Sequence, residues 1–204
     1  MTKTADEYTM LDNAYQYFNQ TLFGGELPDA LIVISRKKKN FRGHYIRESF
    51  ESRLADEKID EIGLNAESFK DRTDKSILST LVHEMTHLWQ YHFGKPARGG
   101  YHDRQWGKKM EEIGLMPSNT SAEGGKKTGQ QMSHYIIPNG PFEIACDKLL
   151  ENNHVFSWNC FPFGKIKRPQ SKVKYTCPTC NQNAWAKPTA ELMCGNCQET
   201  MESN

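Results

Sequence analysis

The stretch VHEMTHLWQ, residues 82–90, sets two histidines four positions apart with a glutamate directly after the first. On an α-helix, residues four apart differ by about 400° of rotation, so His83 and His87 project from nearly one side, one turn apart, and can share a metal ion. The pairing constrains the fold, because the stretch must be helical and a third ligand must arrive from elsewhere. The apolar positions agree with a helix. Ile77, Leu78, Leu81, Val82, Met85, Leu88 and Trp89 trace one stripe between Ser76 and Phe93, with Asp71, Thr73 and Asp74 as capping candidates and Gly94 and Pro96 as the stop. A zinc ion bound by neutral imidazoles lowers the pKa of a water to about 7, and the neighbouring carboxylate of Glu84 takes the proton. That is the chemistry of the His-Glu-x-x-His pattern. Its competitor is a plain amphipathic helix whose histidines are solvated or satisfied in a core.

A third ligand is available in GGYHDRQW. His102 lies between the glycine-rich exit of the first helix and a second helix expected from near Asp103, with Trp106, Met110 and Ile113 on one face and Gly114 as its stop. His92 is rotated by about 140° from His87 and about 180° from His83, and is expected to face solvent. The metzincin arrangement fails, since Gln90 and Phe93 stand where glycine and histidine are required. A thermolysin-type site would take a glutamate from the following helix, which leaves Glu111 or Glu112 as alternatives to His102. Manganese is the other metal that three imidazoles accept, with zinc the default.

Four of the six cysteines form a second pattern. Cys177 and Cys180, then Cys194 and Cys197, give two Cys-x-x-Cys pairs separated by thirteen residues, the spacing of a closed tetrahedral structural zinc site. A tail of roughly 30 residues cannot bury enough apolar surface to fold alone, so the metal would supply its folding free energy. A redox role for either pair is the competing interpretation. Cys146 and Cys160 are expected to be plain thiols, and Trp185 either packs the small core or stacks on a nucleobase.

The remaining scaffold is coarser. Residues 5–22 predict an amphipathic helix, ALIVIS (30–35) a buried strand and EIGLN (61–65) another, while 124–130 is a loop by composition and 161–172 a linker. The opening MTKTADEYTM lacks the order of a secretory leader, and no apolar run approaches the ~20 residues of a membrane span. A soluble, intracellular protein with no membrane partner is the expectation. The net charge of +1 conceals an asymmetry: no Asp or Glu occurs between Asn152 and Ala190, where Lys165, Lys167, Arg168, Lys172, Lys174 and Lys187 lie. A second basic cluster runs from Arg36 through Lys37, Lys38 and Lys39 to Arg42, and acidic residues gather from Glu48 to Glu61. Such asymmetry suits a polyanion partner or a merely solvated face.

Taken together, five segments resemble the SprT-like (Spartan-related) metalloprotease family. YQYFNQTLFGGELP looks like its opening helix and turn, EIGLN its strand before the active helix, LVHEMTHLWQ its catalytic helix and GGYHDRQWGKKMEEIGL its third-histidine segment. KYTCPTCNQNAWAKPTAELMCGNCQ is similar to the zinc ribbon that closes many members. The resemblance implies an α+β fold: a zincin-like core over residues 1–160, a basic linker at 161–173 and a zinc ribbon at 174–204. It implies one catalytic zinc on His83, His87 and His102, with Glu84 as acid and base, and one structural zinc on Cys177, Cys180, Cys194 and Cys197. It further implies cleavage of proteins bound or crosslinked to DNA, with DNA as a partner and a cytoplasmic location, on the nucleoid or in a nucleus. An extended substrate would pair with the strand holding Ile62 and Leu64. Residues 124–153 have no counterpart in that likeness. They are an insertion that can cover the site, with His134 or Tyr135 as a candidate oxyanion donor or as a structural residue. The alternative from another class is a zinc-ribbon nucleic-acid-binding protein with a silent protease-like domain.

Overall fold

Thr2 caps the first helix, α1 (Lys3–Leu22), by accepting a hydrogen bond from the Ala5 amide at 3.3 Å. The helix buries Leu11, Ala14, Tyr15 and Phe18 at spacings of three and four, which is why its apolar stripe was readable. The chain turns back at Gly24 and Gly25, both at positive φ. Asn19 then grips the returning strand-to-be: its amide donates to the Leu27 carbonyl at 3.0 Å and its oxygen accepts from the Leu27 amide at 3.1 Å.

Three strands follow, β1 (Ala30–Ser35), β2 (Gly43–Glu51) and β3 (Lys58–Asn65), in the spatial order β1-β3-β2. β1 runs parallel to β3, matching Ile32 with Ile62 and Ile34 with Leu64, while β2 runs antiparallel, matching Gly43 with Leu64 and Tyr45 with Ile62. β2 breaks register between Ile46 and Phe50. The expectation that the strand of Ile62 and Leu64 offers a free edge is thereby overturned. β3 is hydrogen-bonded on both sides and those two side chains are fully buried, so among the described residues the sheet's edges lie on β1 and β2 instead.

α2 (Asp74–Phe93) crosses the sheet. Of its three capping candidates Thr73 serves, accepting from the Ser76 amide at 3.2 Å, and Gly94 closes the helix on the Gln90 carbonyl. α3 (Arg104–Glu112) starts at Asp103, whose carboxylate accepts from the amides of Gln105 and Trp106 at 2.9 and 3.0 Å and from the Gln90 side chain at 2.9 Å. One carboxylate thus caps α3 and fastens it to the last turns of α2. β4 (Leu115–Ser118) and β5 (Ser133–Ile136) pair antiparallel, and α4 (Pro141–Glu151) buries Phe142, Ala145, Cys146 and Leu149 against the same core, with Phe142 stacked 5.6 Å from Phe18. The described part of the segment 124–153, residues 124–151, therefore contributes β5, α4 and the loop before them.

The structure, a computed structural model, describes residues 2–36, 41–151, 156–158, 160 and 171–203, and divides into two units, residues 1–161 and 162–204. The basic residues Lys37, Lys38, Lys39, Lys165, Lys167 and Arg168, and most of the expected linker, lie outside the described residues. The second unit is a three-stranded sheet of β6 (Val173–Thr176), β7 (Asn183–Ala186) and β8 (Glu202–Ser203), with β6 central. Its buried core is Tyr175, Cys177, Cys194 and Met201. Among the described residues no helix is long and apolar enough to cross a membrane. The architecture is α+β, a mixed core with a four-cysteine C-terminal unit compatible with a zinc ribbon.

Candidate metal centre

His83 and His87 sit one turn apart on α2, and the loop before α3 carries His102 to them, where its backbone is pinned by a two-way pairing with Gly129. One ring nitrogen from each of the three lies within 4.8 Å of the other two. Nε2 of His87 and Nε2 of His102 are 3.1 Å apart. Two nitrogens each held at the usual zinc distance on a tetrahedral ion stand about 3.3 Å apart, so this pair is already near the separation a shared cation requires.

Protonation favours the same use. Burial holds the His83 imidazole well below its ordinary range, reinforced by His87, His134, His102 and Arg42. Burial, then His102, pushes His87 down to about 3, and burial lowers His102 against the opposing pull of Gly129 and Asp103. Neutral imidazole is the form that ligates a metal. Trp106, fully buried on α3, packs against all three rings, with centroids 4.9, 5.3 and 4.5 Å from His83, His87 and His102. Tyr45 of β2 lies parallel to His87 at 6.5 Å. It is held by Asp60, which also accepts from the Glu48 amide at 2.6 Å.

The histidines open into a cleft of about 680 Å³ whose walls are Phe41 to Tyr45 at the start of β2, Glu84 and Thr80 of α2, and the segment from Gln130 to His134. Glu84 is 6% exposed and reaches this cleft beside His83 and His87. β2 approaches α2 closely there: a Cβ on Gly43 would fall 2.8 Å from Glu84 Oε1 and 2.7 Å from Thr80 Cγ2. Only glycine lets the strand run that near the carboxylate.

Other candidates are placed elsewhere. Glu111 pairs with Lys127 and Glu112 with Lys109, both at 2.9 Å, and neither lines the cleft, so the thermolysin-type alternative has no geometric basis. His92 stands apart from the cluster, but is bonded to buried Asp60 at 2.7 Å rather than simply facing solvent. Tyr135 does not line the cleft. His134 does, yet both its ring nitrogens are engaged inside the protein, Nδ1 with His83 Nδ1 at 3.1 Å and Nε2 with Ser79 Oγ at 2.8 Å. It therefore has no N–H left for an oxyanion. Burial, with the charges of Arg72 and Arg42, holds its imidazole down to about 3. Trp106 was legible as a helix position, four after His102, but not as the floor of the centre. Gly43 and Gly129 carried no sequence signal beyond being glycines.

In the second unit the four cysteine sulfurs also lie within 4.8 Å of one another, with Cys180 and Cys194 at 3.6 Å. Sulfurs at the usual zinc distance on a tetrahedral ion stand about 3.8 Å apart. The two pairs fold alike. The amide of Asn181 bonds the Cys177 carbonyl, that of Gln198 bonds the Cys194 carbonyl, and both residues have a φ of 59°. Each pair thus makes the same tight turn, directing its sulfurs inward. Four thiolates in one group and three imidazoles in the other are donor sets that fit zinc.

Comparison with known proteins gives two findings. The SprT-like family model matches residues 11–125, more than half of the chain. A protein of Salmonella typhimurium, described as an uncharacterized protein in the mucB 3' region, is 37% identical over 59 residues, which cover 29% of this chain and 78% of that protein.

Proposed function

The chain belongs to the SprT-like family, and from that footing we propose that it is a zinc-dependent endopeptidase acting on proteins bound or crosslinked to DNA. The observation that carries the proposal is a carboxylate, Glu84, in the same cleft as three buried imidazoles whose nitrogens converge within 4.8 Å. His83, His87 and His102 would hold the ion. When bound, zinc polarises a peptide carbonyl and acidifies water. Glu84 accepts the proton from the attacking water and returns it to the leaving amine nitrogen, the two-way role of a general base that becomes a general acid. β2 supplies recognition. Its start lines the cleft, and its side away from β3 carries no strand among the described residues, so an extended substrate can add to it through backbone hydrogen bonds and be read with little regard to sequence.

Support for DNA is of a different kind. No acidic residue occurs from Asn152 to Ala190, and the ribbon presents Trp185, 63% exposed, opposite Lys174 on the neighbouring strand. A cation beside an exposed aromatic face suits a stacked base and its phosphate. The proposed setting is accordingly the cytoplasm, on the nucleoid, or a nucleus.

The test is incubation of the purified protein and zinc with a DNA-bound protein substrate, with and without DNA, alongside Glu84→Gln. Cleavage lost only in Glu84→Gln, with both metals retained, is expected, because a carboxamide cannot accept the proton. If that variant behaves as the parent does, the alternative of a silent domain tethered by its ribbon replaces the proposal.

A further inference from the structure

We propose that His134 is a positioning residue of the metal centre, fixing the His83 imidazole in the tautomer whose Nε2 is free to bind a cation. The inference rests on the reading of His83, His87 and His102 as zinc ligands.

Ser79 sets the pattern. Its hydroxyl donates to the Ser76 carbonyl at 2.8 Å within α2. With its one proton on that carbonyl, Ser79 Oγ meets His134 Nε2, 2.8 Å away, as an acceptor. His134 then carries its proton on Nε2, and the Nδ1 of its neutral ring is an acceptor. That Nδ1 faces His83 Nδ1 at 3.1 Å, and a hydrogen bond there requires His83 to donate. With its proton on Nδ1, His83 has its lone pair on Nε2. The other neutral tautomer of His83 would set two bare Nδ1 lone pairs against each other and block Nε2 with a proton.

His102 is treated the same way by another part of the same segment. Its Nδ1 is 3.1 Å from the Gly129 carbonyl, which can only accept, so its lone pair also falls on Nε2, the atom that approaches His87. Two of the three ligands are thus oriented from residues 129–134, beyond the matched span of 11–125. A ligating histidine generally donates its second N–H to such an acceptor, and losing the acceptor typically costs about 10–100-fold in metal affinity. Here one acceptor is itself an imidazole.

The experiment uses the full chain. Zinc content is measured, zinc affinity is titrated against a chelating dye, and long-range proton–nitrogen NMR reads which nitrogen of His83 is protonated. The thiolate site serves as internal reference. His134→Asn places an amide oxygen where Nδ1 stood, and His134→Gln places its amide near Nε2 instead. The parent is expected to hold two zinc ions with His83 protonated at Nδ1. His134→Gln should lose about 10–100-fold in affinity at the histidine site alone, with His134→Asn close to the parent. Ser79→Ala, which removes only a hydroxyl, should shift the same way by less, and keeps the test open if His134→Gln fails to fold. Parent-like affinity in both His134→Gln and Ser79→Ala, or a proton on Nε2 of His83, overturns the inference while leaving the zinc reading intact. A parent holding only the thiolate-bound ion overturns the zinc reading and this inference with it.

Discussion

Gly43 of β2 stands directly against Glu84 of α2, with room for a hydrogen and none for a methyl group: a Cβ would come within 2.8 Å of the carboxylate oxygen. The strand proposed to receive substrate and the group proposed to move its proton are therefore set by one contact. Gly43→Ala should push Glu84 aside without touching a histidine. A misplacement of about 1 Å can cost on the order of 100-fold in turnover. The expected outcome is a fall of that order in peptide cleavage with zinc content unchanged. Normal turnover in Gly43→Ala would show that the carboxylate tolerates displacement.

Trp106 is completely buried among the three imidazoles, and its indole N–H has no hydrogen-bond partner among the described residues. Trp106→Ala should destabilise the first unit by about 3–5 kcal/mol through the cavity it leaves. Trp106→Phe retains a ring and removes an unpaired donor, so its cost should be clearly smaller. Denaturant midpoints of the two variants, compared with that of the parent, check the order.

Metal removal should divide the molecule. The second unit's buried core is four residues, two of them cysteines of the metal group, so its packing cannot outweigh the entropy of ordering the chain. Cys197→Ser, or a strong chelator, should collapse the amide chemical-shift dispersion of residues 173–203 while the first unit, with its own apolar core, keeps its spectrum. Persisting dispersion in the ribbon after chelation would disprove metal-dependent folding there.

Cys146 on α4 should behave as an inert thiol. Burial pushes it up to about 12, against a modest opposing pull from Lys75. A group raised by folding favours the folded state fully below its unfolded pKa, near 8.5, and that contribution drains away as pH climbs towards 12. At pH 8 iodoacetamide should label Cys146 only after denaturation, as read by peptide mass. Rapid labelling of the native protein would mean that α4 opens readily.

The helix of His83 and His87 was legible because a stripe of period 3.6, a threonine cap and a glycine stop agree on one answer, and Asp103 announces α3 in the same way. The cysteine spacing likewise encodes a local turn that each pair can make alone. β2 was not legible: its side chains from Arg47 to Glu51 are exposed and charged or polar apart from Phe50, so no alternation marks it. The strand order was hidden for a related reason, since β1 and β3 pair in parallel across the intervening β2 and no sequence period records that. α4 did carry a helical stripe in Phe142, Ala145, Cys146 and Leu149 behind Pro141, in a segment that has no counterpart in the family resemblance. The contact of His134 with His83 spans 51 positions and is fixed by tertiary packing alone.

Chain order also gives the metal centre a timetable. A nascent polypeptide that has extended past His102 still lacks Gly129 and His134, the residues proposed to orient the imidazoles of His102 and His83. On the proposed reading, a chain of that length holds all three candidate ligands before the groups that would aim two of them exist.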